Sequence, residues 1–241
     1  MLKYMRIRKN GAIMIKNVLL DLDDTIFDFH LAEKIALTKT LLAFGIEPTE
    51  EVVTRYSEIN ASLWRKLEKG EMEREDVLVG RFELLFRELN ISCDALSARK
   101  SYEKNLSNGH YFIEGAVELL RELSTKYKLY LASNGTAAVQ IPRIESAGIE
   151  KYFKGIYISE LVGFNKPDKR FFERIFDGIE GFSKDETIIV GDSLSSYILG
   201  GKNSGVKTCL YNPKGKLMSA DVLPDFEIKN LRELPSLLEA L

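Results

Sequence analysis

A doubly wound parallel α/β sheet carrying one long helical insertion is the fold that this sequence predicts. Three observations predict it. Short apolar runs alternate with amphipathic helical patterns along most of the chain. The runs are apolar along their whole length, as strands covered on both faces must be. Between residues 29 and 107 no such run occurs, and only helical patterns are found.

The first strand is placed over residues 18–22, inside the stretch VLLDLDDTIFDF. Further strands are expected over residues 129–133, 155–159, 187–191 and 206–211. The helices between them can be justified in turn. EGAVELLRELSTKY sets Val117, Leu120 and Leu123 on one face. AAVQIPRIESAG ends at Gly148, a natural C-cap, while Pro142 inside it predicts a kink or a late start. PDKRFFERIFDGI opens on Pro167, which suits a first helical turn. Strands alternating with helices imply right-handed crossovers.

The insertion contains HLAEKIALTKTLLAFG, TEEVVTRYSEINASLWRKLEKG and REDVLVGRFELLFRELN, punctuated by Gly45, Pro48 and Gly70. It is too long for an ordinary crossover. The domain reading is therefore a core over residues 1–28 and 108–241 and a helical module over 29–107. Met14 stands just before the first strand, so residues 1–13 read as an extension.

The 241 residues are 45% hydrophobic, enough for a sizeable core. Acids and bases nearly cancel, 36 against 34, leaving a formal charge of -2 and no basic excess of the kind a nucleic-acid polymer would require. No stretch approaches transmembrane length. The basic N-terminus lacks a following apolar run, because Asp21 and Asp23 interrupt it. Cys93 and Cys209 match no metal or redox spacing and read as reduced thiols. A cytoplasmic protein without membrane partners, monomeric or homodimeric, is expected.

In open parallel sheets, ligands bind beyond the carboxyl ends of the strands. The predicted strand ends deliver Asp21, Asp23 and Thr25, then Ser133, Asn134 and Gly135, then Lys166, then Gly191, Asp192 and Ser193. Carboxylates, a hydroxyl, backbone donors and an ammonium together suit a phosphate and a Mg²⁺ ion, which takes oxygen ligands from one or two carboxylates. A carboxylate can attack phosphorus, and a second acid two residues on can protonate the leaving oxygen and then activate water. Each piece alone also has a plain structural explanation as a turn, a cap or a solvated lysine. Their joint occurrence, in order and each after its own strand, is not easily produced by such explanations.

With its segments DLDDT, LASNG, NKPDKRFF and GDS, the chain resembles the haloacid dehalogenase-like hydrolases from about residue 15 to its C-terminus. The resemblance implies a Rossmann-like core whose helical insertion is a C1 cap. GDSLSS, ILGGKNSG and SNG are similar to the bacterial pyrimidine 5′-nucleotidase subfamily, which acts on nucleoside monophosphates. It implies that Asp21 is nucleophile and metal ligand, and that Asp23 is general acid/base with its carbonyl on the metal. Ser133 and Asn134 would bind phosphate with Lys166 beside it, and Asp192 would be a further Mg²⁺ ligand. An acid at position 23 points to a phosphatase of small phosphorylated metabolites, nucleotides or sugar phosphates, rather than a dehalogenase.

One position departs from the family pattern. Tyr197 stands where a second acid follows the Gly-Asp pair. Loss of an outer-shell partner typically costs about 10–100-fold in metal affinity. A weakened Mg²⁺ site, or a phosphate-binding protein without turnover, is the corresponding expectation. The insertion also holds Phe29, His30, Phe44, Tyr56, Trp64, Phe82 and Phe86, which at helical spacing read mostly as core. Phe27, Phe29 and His30 directly follow the acids and are the candidates for substrate contact.

Overall fold

The computed structural model describes residues 14–215 and 221–241, so the expected extension at 1–13 lies outside the described residues. The chain runs β1 (Asn17–Asp21), α1 (Phe29–Ala43), α2 (Glu50–Glu68), α3 (Arg74–Glu88), α4 (Ala95–Leu106), α5 (Ala116–Lys126) and β2 (Lys128–Ser133). It continues with α6 (Ala137–Ala147), β3 (Phe153–Ile158), α7 (Ser159–Val162), α8 (Lys169–Asp177), β4 (Thr187–Gly191), α9 (Leu199–Ser204), β5 (Lys207–Tyr211), β6 (Phe226–Ile228) and α10 (Leu234–Ala240). Among the described residues, no helix is long and apolar enough to cross a membrane.

The strands form one six-stranded sheet in the order β3-β2-β1-β4-β5-β6, and every pairing is parallel. This is the doubly wound order, with its reversal between β1 and β4. All residues of β1 and β4 are buried, which explains their unbroken apolar composition. Successive side chains alternate between faces. Leu19, Tyr130, Ala132 and Ile189 pack against Phe171, Phe172, Ile175 and Phe176 of α8.

Two helix starts differ from the sequence expectation. Helix α8 begins after Pro167, with Asp168 as N-cap accepting a hydrogen bond from Arg170 N, because the Asp side chain satisfies a first-turn donor that proline cannot. Helix α6 starts at Ala137 and runs through Pro142, so no late start occurs. It ends as expected at Gly148, in the left-handed region at φ 62°.

The chain divides into two compact units. One comprises the described residues up to Phe27 with Phe112–Asn134 and Ile149–Leu241; the other comprises Asp28–Tyr111 and Gly135–Gly148. Helix α6 thus groups with the helical unit, whereas the sequence reading gives that segment to the core, because Val139 belongs to the helical unit's hydrophobic cluster. In that unit Asp28, Thr49 and Asp94 cap α1, α2 and α4. Tyr56, Phe82, Phe86 and Tyr102 fill its core, with Phe29, Phe44 and Trp64 packed partly buried against it. A polar network crosses this core. Glu33 accepts from Ser57 Oγ and from Asn60 Nδ2 (2.7 Å), and Arg81 donates to Asn60 Oδ1 (3.1 Å) while lying 4.7 Å from the Tyr102 ring centroid.

Candidate active site

Strand register assembles the site. Asp21 pairs with Ala132 and Leu20 with Val190, so Asp21, Ser133 and Asp192 come to the carboxyl ends of three adjacent strands. Asp21 and Asp192 belong to the two strands that flank the reversal of strand order, the usual ligand position in such sheets. Beyond Asp21 the chain turns sharply. Ile26 N and Phe27 N both donate to Leu22 O (2.9 and 2.8 Å), and Asp24 N donates to Phe27 O at 2.7 Å. Asp24 adopts φ 55°, a left-handed conformation that aspartate tolerates better than most residues. The turn presents Asp23 two residues after Asp21, bridged to Phe27.

Lys166 reaches Asp21 from 145 residues away, its Nζ donating to Oδ1 at 2.9 Å. Both residues are buried, 2% and 6% exposed respectively. Oδ1 also accepts from Leu22 N at 2.8 Å, and among the described residues no hydrogen bond reaches Oδ2. The carboxylate is therefore held through one oxygen. Lys166 Nζ further donates to Ala132 O at 3.2 Å.

The backbone of Lys166 is clamped by Asn134. Lys166 N donates to Asn134 Oδ1 (2.8 Å), and Asn134 Nδ2 donates to Lys166 O (3.0 Å). The sequence reading gives Asn134 to phosphate. Its side chain spends a donor and an acceptor on placing the lysine, a use to which no sequence signal points. Ser133 is buried immediately before it.

Burial pushes the Asp21 carboxyl above the usual range, with Asp23 adding to the effect and Lys166 and the Leu22 amide opposing it. Burial raises Asp192 well above its ordinary value too, helped by the charges of Asp21 and Asp24 and opposed by Lys166. Asp24 thus belongs to the field of the site, although the sequence reading gave it no role. Two enclosed carboxylates against one ammonium leave a surplus of negative charge, a donor set that fits a hard divalent cation. Among the described residues, no group of three or more His, Cys, Asp or Glu side chains is placed to hold a metal. Mg²⁺ commonly takes one or two carboxylates and completes its shell with water and phosphate oxygen.

Tyr197 lies in a π-helical turn, Leu194–Ile198, whose N-cap Ser193 accepts from Ser196 N. Its side chain is fully buried. The hydroxyl donates to Ala132 O at 3.4 Å, and the ring lies 4.1 Å from Lys166 Nζ, measured to its centroid. The sequence reading registers here only a missing acid; the ring's approach to the lysine comes from the fold.

The expected substrate-contacting residues divide. Phe27 has no exposed surface and packs edge-on against Phe112 at 5.2 Å, so its ring is core rather than a face offered to a ligand. Phe29 and His30 open α1 in the helical unit, Phe29 partly buried and His30 exposed.

Comparison with known proteins agrees with the fold. The family model of the haloacid dehalogenase-like hydrolases matches residues 18–211. The HAD-hydrolase YfnB of Bacillus subtilis is 37% identical, over 92% of this chain and 95% of its own. The pyrimidine 5′-nucleotidase PynA of Streptococcus pneumoniae is 34% identical, over 93% of this chain and 95% of its own. A crystal structure of YfnB, described as bound to magnesium and as revealing interdomain movement, superposes with a TM-score of 0.90 over 93% of this chain and 99% of its own. With the sheet order, the four strand-end motifs and these matches in agreement, the chain belongs to the haloacid dehalogenase-like hydrolase family.

Proposed function

We propose that this hydrolase is a Mg²⁺-dependent phosphatase that cleaves phosphomonoesters through an aspartyl-phosphate on Asp21, with nucleoside 5′-monophosphates as its substrate class. The observation that carries the reading is the Asp21 carboxylate, pinned through Oδ1 by Lys166 and Leu22 N with Oδ2 unengaged. Oδ2 attacks phosphorus, and the ester P–O bond breaks as Asp23 gives its proton to the leaving oxygen. The Asp23 carboxylate then takes a proton from water, whose oxygen attacks the same phosphorus. Orthophosphate leaves and Asp21 is restored. Lys166 offsets charge on the transferring group. Ser133 and the Asn134 backbone amide hold phosphate oxygens.

Asp21, Asp192 and the Asp23 carbonyl would hold Mg²⁺, which when bound would offset the negative charge of the phosphate and of the carboxylates. Magnesium in the YfnB crystal structure supports this cofactor, and the pyrimidine nucleotidase relative supports the substrate class. Choice of substrate is assigned to the helical module over residues 29–107. The unpaired thiols Cys93 and Cys209 suit the reducing cytoplasm.

Tyr197 favours a second reading, a phosphate-binding protein with little turnover, since a neutral ring stands where the family pattern has an acid. A panel of phosphorylated metabolites assayed with and without Mg²⁺ separates these. Highest kcat/KM on nucleoside 5′-monophosphates supports the proposal, and preference for sugar phosphates revises the substrate class. Failure to hydrolyse even a generic phosphate ester with Mg²⁺ leaves the binding protein.

A further inference from the structure

We propose that Tyr197 is a positioning residue whose ring face steers the Lys166 ammonium onto Asp21 Oδ1. The inference rests on the phosphatase reading for its kinetic consequence, though not for its geometry. A lysine ammonium carries three donors on a flexible four-carbon stem, so a buried one needs more than a single partner to hold one position. Here Nζ donates to Asp21 Oδ1 (2.9 Å) and to Ala132 O (3.2 Å). The Tyr197 ring lies against it, its centroid 4.1 Å away, well inside the distance of about 6 Å at which a ring face attracts a cation.

The ring is itself fixed. Tyr197 has no exposed surface, and its hydroxyl donates to the Ala132 carbonyl that also accepts from Lys166. Phe172 meets it edge-on, with centroids 6.3 Å apart and planes at 88°. Gly191 makes room for it, because a Cβ there would lie 2.7 Å from Tyr197 Cγ. Strand β4 therefore supplies both the glycine that admits the ring and, one residue later, Asp192.

Charge distinguishes this arrangement from the family pattern. An acid at position 197 would compete with Asp21 for the single ammonium and add a third negative group beside Asp21 and Asp192. A neutral ring attracts the ammonium without adding a charge, and leaves its hydrogen bond directed at the nucleophile.

The test compares Tyr197→Phe, which keeps the ring, with Tyr197→Leu, which removes it. With lysine ε-carbons labelled, the Lys166 methylene resonance should be shifted upfield by the ring current in the native protein and in Tyr197→Phe. In Tyr197→Leu it should return toward an ordinary lysine position. On p-nitrophenyl phosphate at saturating Mg²⁺, Tyr197→Leu should lose about 3- to 30-fold in kcat with less change in KM, the range that such cation–π energies convert to. Tyr197→Phe should stay within about 3-fold of native by the same reasoning. A Lys166 resonance unmoved by Tyr197→Leu, or equal kinetic losses in both variants, would overturn the proposal. Tyr197→Met replaces Tyr197→Leu if the latter does not fold. A native protein without turnover sinks the phosphatase reading, while the resonance still decides the role of Tyr197.

Discussion

Lys166 Nζ lies 2.9 Å from Asp21 Oδ1 with both side chains buried, so each charge depends on the other for its place in the interior. Removing one member of such a pair typically costs about 3–5 kcal/mol, because an uncompensated charge remains. Lys166→Met is expected to show that loss in denaturant unfolding and to lower kcat by roughly 10²–10³, as removal of one preorganised charge-stabilising donor does. Native-like kcat in a folded Lys166→Met protein would show that the ammonium only fills space.

The raised acids set a pH dependence of stability. Asp21 and Asp192 both bind protons more readily in the folded chain than in an unfolded one. Their contribution is therefore favourable at low pH, full below the unfolded value of about 4, and lost as pH rises through the folded values. The acids held below their usual range, such as Asp94 and Asp168, act in the opposite sense, and their contribution is lost only as pH falls below about 4. Without Mg²⁺, Tm should rise between pH 7 and pH 5, roughly the window between these effects. Asp192→Asn should raise Tm at pH 7 and flatten the slope. A metal-free Tm that falls across that window, unchanged by Asp192→Asn, would contradict the electrostatic description.

Tyr197→Asp restores the acid of the family pattern and removes the ring. The Mg²⁺ concentration for half-maximal rate should fall by about 10–100-fold, the usual worth of an outer-shell partner. At saturating Mg²⁺ the kcat should fall, because Lys166 has lost its ring and gained a competing carboxylate. Coincident Mg²⁺ titrations for the two proteins would show that the acid is dispensable here.

Phe29 and His30 follow the acid-bearing turn directly in sequence and open α1. Alanine at either position should change the order of kcat/KM among nucleoside monophosphates by about tenfold, comparable to the loss of one base-stacking contact. Hydrolysis of p-nitrophenyl phosphate should change much less. Equal effects on both substrates would reduce these residues to structural ones.

Much of the fold can be read in the sequence because buried parallel strands advertise themselves as unbroken apolar runs. Strand β6 does not: it has three residues, pairs only with β5, and exposes Glu227 at its centre. Asp21 and Asp192 are legible because each stands at a strand end, and parallel topology brings strand ends together whatever their separation; Lys166 lies further along, beyond β3 and α7. The clamp of Asn134 on the Lys166 backbone is not legible, since an amide after a strand has many possible partners. Tyr197 shows the same limit from the other side. A sequence records that a charge has been replaced, whereas the ring's distance from Lys166 depends on Gly191 and on the π-helical turn that directs the side chain inward.

Attack of Asp21 on phosphorus leaves a covalent intermediate that can be trapped. The native enzyme, turning over a nucleoside monophosphate with Mg²⁺, is quenched in acid and digested, and the peptide spanning Asp21 is examined by mass spectrometry. One added phosphoryl group is expected, located on Asp21, released by hydroxylamine and absent from Asp21→Asn. A native enzyme that turns over while that peptide never carries phosphate, or an Asp21→Asn variant with near-native kcat, would contradict it.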